Sequence, residues 1–195
     1  MEVTRTYLQL DHRTQFKDAF GEFPEITIAR ARKPSPELYR TCYRTVGEAF
    51  HWFDRWDWSD EEISKHLADP AIQLFVATRG MGKQQSDLAG WYELRRVTED
   101  DSVEIAYFGI VAGEFGRGFG KHLLSSAVRD AWALGPRRVW LHTCTLDDPA
   151  ALPNYLKRGF RPFKSEKYTP DLAEQASVSK RGTSPRVIKR SMPTS

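Results

Sequence analysis

Cysteine is scarce in this sequence. Cys42 and Cys144 are the only two, too few for a disulfide scaffold or a Cys-based zinc site. No His, Cys or carboxylate spacing reads as a metal site, so no metal is expected. No run of about 18 apolar residues exists, which excludes a membrane-spanning helix from the expectations. The N-terminal residues Met1-Glu2-Val3-Thr4-Arg5 lack a basic stretch followed by an apolar segment, so no signal peptide is read. There is no internal repeat. These absences predict a cytoplasmic protein with no membrane partner. What is present fits that class: 195 residues, 40% apolar and 28% charged. A chain of this size buries roughly 70% of its unfolded surface and builds a core without staples.

The charge is small and unevenly placed. Residues 176–195 carry Lys180, Arg181, Arg186, Lys189 and Arg190 and no acid. The +3 total less the +5 of this tail leaves −2 on residues 1–175. The body offers no basic groove. A tail with so few aromatics gives a base nothing to stack on, so it reads as a solvated segment and nucleic acid is not expected as a partner.

Residues 4–10 read as a short extended piece, and residues 25–33 alternate as a strand. Ser35 then caps a helix with Pro36 at its first position, and apolar spacing carries that helix to about Phe53. Ser59 and Glu62 form a capping box opening a second helix that ends near Pro70. Strands follow over 73–79, 88–97 and 102–112, with a Gly-rich turn over 80–85. Residues 118–134 place Phe119, Leu123, Leu124, Ala127, Val128, Ala131 and Leu134 on one helical face, and Gly135-Pro136 stops the helix. A strand over 138–146, a short helix over 149–158 and an extended piece over 160–164 complete the pattern. Residues 165–185 read as turn-rich, and 185–192 as a last strand or loose tail. Three consecutive strands followed by a βαβαβ-like end predict an α/β domain, with a mixed, mostly antiparallel sheet and helices on both faces.

The most specific feature is the turn Phe115-Gly116-Arg117-Gly118-Phe119-Gly120-Lys121, between a strong strand and a strong helix. Glycines let backbone approach a ligand, and a helix start adds unpaired N–H groups and a positive dipole end. The turn therefore reads as a phosphate or diphosphate cradle. It is neither a Walker A loop, because positions 115 and 122 are Phe and His, nor a G-x-G-x-x-G fingerprint, because the third glycine comes one residue early.

This stretch resembles motif A of the GNAT superfamily of acyl-CoA N-acyltransferases, Gln/Arg-x-x-Gly-x-Gly/Ala. Gly118 and Gly120 match the small positions; Phe115 departs from the Gln/Arg position, and Arg117 or Lys121 is expected to supply the missing charge. Residues 151–160 (ALPNYLKRGF) resemble the family's later segment, with Tyr155, Gly159 and Phe160 in register. Asp148 stands where the family commonly has Asn. The resemblance spans residues 25–165 and implies an N-acetyltransferase domain over 25–168. Before it comes an N-terminal extension with a short strand over 1–24, and after it a polar basic segment over 169–195. It implies acetyl-CoA as co-substrate, held by residues 115–121 and by backbone of Phe108, Ile110 and Val111 pairing with the pantetheine arm.

Transfer of an acyl group from thioester to amine needs a base for the ammonium proton and an acid for the thiolate. The resemblance makes Tyr155 the candidate acid, since a phenol is protonated at neutral pH. It makes Glu104 the candidate base, on a strand face that period-2 alternation shares with Ala106, Phe108 and Ile110. The bland reading of Glu104 is an ion pair with Arg95 or Arg96. His142 is the alternative base or a substrate contact. Cys144 reads as a small buried hydrophobe rather than an acyl carrier. Trp52, Phe53, Trp56 and Trp91, with Tyr92, are expected to wall the acceptor pocket, where Asp54 or Asp57 would favour a cationic amine. The acceptor is a small-molecule or protein amine, and the oligomeric state admits a homodimer. The rival readings are a non-catalytic acyl-CoA-binding regulatory module and an acetyltransferase acting on a protein or nucleic-acid-associated substrate.

Overall fold

The computed structural model describes residues 2–50, 52–80 and 88–169. His51, the turn beyond Gly80, the basic tail and the last strand expected over 185–192 lie outside these residues. Strands β1 (Val3–Leu10) and β2 (Ile26–Arg30) come first, then helices α1 (Pro36–Gly47) and α2 (Asp60–Ala68). The meander is β3 (Ile72–Arg79), β4 (Leu88–Val97) and β5 (Ser102–Ile110). Then follow α3 (Phe119–Ala133), β6 (Arg138–Cys144), α4 (Ala151–Lys157) and β7 (Arg161–Tyr168). They form one seven-stranded sheet in the order β2-β3-β4-β5-β6-β1-β7. Every neighbouring pair is antiparallel except β5 and β6. This is the mixed, mostly antiparallel sheet that the sequence predicts.

The helix starts are as expected. Ser35 Oγ accepts from the Leu38 N–H at 3.1 Å, and Ser59 and Glu62 cap α2 reciprocally. The end of α1 is not. It stops at Gly47 instead of running to Phe53, because the chain folds back: Trp52 donates its N–H to the Gly47 carbonyl at 3.0 Å. The sheet has a core on each face. Leu123, Leu124, Ala127, Val128 and Ala131 of α3 pack on Tyr92, Leu94, Val103, Ile105 and Leu141. Tyr39, Cys42, Tyr43 and Val46 of α1 pack with Ile63 of α2 on Leu74 and Trp91.

The N-terminal residues are woven into this frame. β1 is an interior strand between β6 and β7, with Val3, Leu8 and Leu10 fully buried. The chain after it straps across α3, where Ala19 N–H donates to Ser125 Oγ and Gly21 N–H to His122 Nδ1. It also passes Gly159 so closely that a Cβ there would stand 1.9 Å from the Gln15 carbonyl oxygen. β7 continues to Tyr168 instead of ending near Lys164, because β1 offers it a partner edge as far as Val3.

Two irregularities in β5 place the site. First, Glu93 of β4 faces Tyr107 while its neighbour Leu94 faces Ile105. Ala106 is therefore an extra residue, a β-bulge that flips the side-chain parity beyond it. Glu104 consequently shares the α1–α2 face with Tyr107, and Phe108 and Ile110 move to the α3–α4 face. The period-2 grouping of Glu104 with Phe108 and Ile110 is corrected by this bulge. Second, the parallel pairing of β5 with β6 covers only Ser102–Glu104 against Arg138–Trp140. From Ile105 onward the two strands part.

Candidate active site

Where β5 and β6 part, a cleft of about 1650 Å³ opens through the sheet. Phe108, Ile110 and Tyr155 line it from the α3–α4 face, and Tyr107, His142, Trp52 and Asp54 from the α1–α2 face. One end reaches the Gly-rich turn, through Phe115, Gly116, Gly118, Gly120 and Lys121.

The turn has the geometry of a cradle. Gly116 and Gly118 take φ of +74° and +80°, the left-handed region that costs glycine nothing. Gly118 is the residue before the first turn of α3. That helix has no acid in its first turn and no side chain capping its start, so its N–H groups face the cleft end unsatisfied. The Lys121 side chain folds back over Gly118, its Cε 3.1 Å from where a Cβ would stand. Phe119 contributes only backbone, since its ring is fully buried in the core. Arg117 is not directed at the cradle. Its guanidinium bonds Glu114 at 3.0 Å and Glu25 at 3.1 Å, so among the expected cations it is Lys121 that lines the cleft.

Along β5 the backbone beyond Glu104 has no β6 partner. Phe108 and Ile110 lie on this free edge and line the cleft. Val111 does not, and its N–H is engaged by the Ala89 carbonyl at 3.0 Å.

Tyr155 lines the cleft from the α3–α4 side, nearly buried at 7% exposure. Its ring meets Phe108 and Phe160 edge-on. Burial, with the Asp147 charge, pushes its pKa well above the ordinary phenol value, so the hydroxyl keeps its proton at neutral pH. His142 lines the cleft from the α1–α2 face of the sheet. The cleft walls that crowd it lower its pKa below the usual 6.5 and outweigh the opposing charge of Glu104; Arg5 also lowers it, while Asp147 and Asp54 raise it. The imidazole is thus neutral at pH 7.

Glu104 is found in the ion pair that the sequence also allowed. Arg95 pairs with it at 2.6 Å across the strands, and it does not line the cleft.

The acceptor-side residues divide. Trp52 and Phe53 line the cleft. Trp56 does not; it packs on Phe53 and under Arg44. Trp91 is fully buried beneath the wall, stacked on Tyr107 at 5.7 Å. Tyr92, its neighbour in the strand, points to the other face and donates to Asp130 at 2.5 Å. Consecutive strand residues cannot share a wall.

Sequence reasoning missed Tyr107, which the bulge turns toward the acceptor side. Its hydroxyl donates to Asp54 Oδ2 at 2.5 Å, and Tyr43 donates to Oδ1 at 2.7 Å. Asp54 is thereby fixed at the cleft wall. Beneath it, Arg55 pairs with the fully buried Glu93 at 2.9 Å and His66 with the same carboxylate at 3.0 Å. Burial works against the Glu93 anion, but Arg55 and His66 outweigh it and hold its pKa below the ordinary value. Sequence reasoning also missed Arg5, which reaches the cleft because β1 is interior. Among the described residues no cluster could hold a metal ion, and no helix is long and apolar enough to cross a membrane.

A mixed α/β sheet whose one parallel strand pair splays beside a Gly-rich turn is the architecture that the comparisons with known proteins identify. The model of the acetyltransferase (GNAT) family matches residues 36–160, and the chain belongs to that family. No curated protein matches the sequence. Among solved structures, the GCN5-related N-acetyltransferase of Sphaerobacter thermophilus aligns at TM-score 0.58 and 19% identity. The alignment covers 84% of this chain and 49% of that one. The spermidine N-acetyltransferase of Vibrio cholerae, in complex with CoA and spermine, aligns at 0.56 and 22%, covering 73% and 84%. The ribosomal-protein-S18-alanine N-acetyltransferase of Escherichia coli aligns at 0.53 and 17%, covering 71% and 79%. The first of the matched structures are longer proteins, of which this chain covers between 49% and 63%. At these identities the likeness is one of fold.

Proposed function

We propose that this protein transfers an acetyl group from acetyl-CoA to a primary amine by direct attack within a ternary complex. The observation that carries the reading is the cleft between β5 and β6, with uncapped helix-start amides at one end and with His142 and Tyr155 lining it from opposite faces of the sheet. The helix-start N–H groups and Lys121 hold the diphosphate. The open edge of β5 at Phe108 and Ile110 pairs with the pantetheine arm. This would lay the thioester between His142 and Tyr155.

The base in this scheme is His142, not Glu104. The amine approaches from the α1–α2 face, and the neutral imidazole accepts its proton. The nitrogen lone pair then attacks the thioester carbonyl carbon, and the charge collects on oxygen. When the tetrahedral carbon collapses, the C–S bond breaks and the sulfur leaves toward the α3–α4 face. There the Tyr155 hydroxyl gives it a proton. The surplus proton of the attacking nitrogen passes through solvent to restore the Tyr155 hydroxyl, and His142 releases its own to water, so that one ammonium and one thioester give one amide, one thiol and one proton. Proton removal and delivery therefore fall on opposite sides of the sheet, which keeps the two proton transfers apart. Such acid–base help is typically worth about 10²–10⁴-fold.

The acceptor is a cationic amine. Asp54 and Asp57 with Trp52 and Phe53 make an acidic, aromatic mouth on that side, which suits an ammonium-bearing molecule. The Vibrio protein of like fold, a spermidine N-acetyltransferase, supports an amine of this class. The test is to incubate the protein with acetyl-CoA and a panel of amines, following thiol release and the mass of each amine. Acetylated amine with matching thiol release is expected. Coenzyme A binding without any acetylated product would favour the non-catalytic module. Absence of binding would sink both readings.

A further inference from the structure

The Gly-rich turn poses a physical problem. Two left-handed glycines make it adaptable, and a loop that must be ordered when its ligand arrives binds weakly. The surroundings of Arg117, the residue between those glycines, answer it. Four charged side chains close a ring there. Arg79, the last residue of β3, bonds Glu25 at 3.0 Å and Glu114 at 2.5 Å. Arg117 bonds the same two carboxylates, Glu114 at 3.0 Å and Glu25 at 3.1 Å. Each arginine thus bridges both glutamates, and the ring is neutral as a whole. Its hub, Glu114, is only 4% exposed and stands at the cleft end beside the turn. Glu25 and Arg79 belong to the β2–β3 edge, where Gly80 N–H also donates to the Glu25 carbonyl. The ring therefore ties the turn to the rigid sheet through side chains, and a planar guanidinium with two fixed partners holds orientation as well as distance.

We infer that Glu114, through Arg79 and Arg117, is a positioning residue that pre-forms the diphosphate cradle. Arg117 keeps its two carboxylate partners when ligand binds. The cradle's charge comes from main-chain N–H groups and Lys121, and the ring fixes where those groups point. The inference rests on the reading that the turn holds the diphosphate of an acyl-CoA.

The experiment compares wild-type protein with Glu114→Gln in calorimetry with coenzyme A and in steady-state kinetics. Two thioesters are used: acetyl-CoA, and S-acetyl-N-acetylcysteamine, which lacks the diphosphate. Glu114→Gln should raise the KM for acetyl-CoA about tenfold, with kcat held within about twofold and the acceptor KM unmoved. The KM for the short thioester should not change, because that substrate never touches the turn. Glu25→Gln opens the same ring at its exposed corner and should move the acetyl-CoA KM in the same direction by less. It serves alone if Glu114→Gln does not fold. Equal losses on both thioesters would show a merely structural role and overturn the inference. So would an unchanged acetyl-CoA KM. A lowered KM would do so too, since it would mean that a released Arg117 grips phosphate directly. Wild-type protein that gives no heat with coenzyme A overturns the reading of the turn itself. Wild-type binding with unaltered variants overturns only the ring.

Discussion

At the scale of single residues, chemistry follows the company each side chain keeps. Glu104 and His142 were both candidate bases by residue type. The carboxylate is held by Arg95 at 2.6 Å, and the imidazole is left facing the cleft. A His whose pKa is lowered is in its basic form over the whole range above that value. The rate at saturating substrates should therefore climb with unit slope through a pKa below 6.5 and be flat above it. His142→Gln should remove the climb and lower kcat by about 10²–10⁴-fold. A pH–rate profile of the two proteins checks this, and a variant that keeps the wild-type limb would acquit His142. Tyr155 is the complementary case. Its pKa lies above the ordinary phenol value, so it adds no descending limb near neutrality.

At the scale of elements, the turn before α3 and the bulge in β5 decide where the ligand groups sit. The turn was legible in the sequence, because its glycines, the strand before it and the amphipathic helix after it are all local patterns. Within the turn, Gly118 at φ +80° is the position where a side chain is least welcome, since Lys121 also crowds it. Gly118→Val should weaken coenzyme A binding at least tenfold, the turn being forced out of its shape. The strain should cost about 1–2 kcal/mol. That is roughly 2–8 °C in Tm for a domain of this size. Calorimetry and a thermal scan separate the two effects; full affinity in the variant would dissociate the turn from the ligand. The bulge was not legible. Glu104, Ala106, Phe108 and Ile110 form an unbroken alternation on paper, and only the pairing with β4 reveals that Ala106 is extra. Likewise, the aromatic run after α1 reads as one pocket wall, yet the fold-back at Trp52 leaves Trp56 packed on Phe53 and under Arg44, off the cleft wall.

At the scale of the whole molecule, the family match begins at residue 36, but the sheet does not. β1 occupies the slot between β6 and β7, and among the described residues it is the only strand that β7 pairs with. It also carries Arg5 to the cleft. Deleting residues 1–12 would strip Val3, Leu8 and Leu10 from the core. Each such burial is worth about 1.5–3 kcal/mol, together comparable with the roughly 5–15 kcal/mol by which a domain is stable. The deletion should therefore yield protein without a cooperative thermal transition, measured by circular dichroism. A truncated chain that melts like the full-length protein would show that β1 is dispensable.

The sequence by itself determined the elements, the mixed sheet and the Gly-rich turn before α3, together with the tyrosine of the later segment. Each is written within about a dozen neighbouring residues, as a period, a cap or a glycine pattern. Tertiary structure alone decided which charged group faces the cleft, that β1 is interior, and that Arg117 looks away from the cradle. Those outcomes depend on partners far along the chain, Arg79 for Glu114, β4 for the bulge, β6 for Arg5. Pairing between distant segments is set by the packing of the whole core, which no local pattern records.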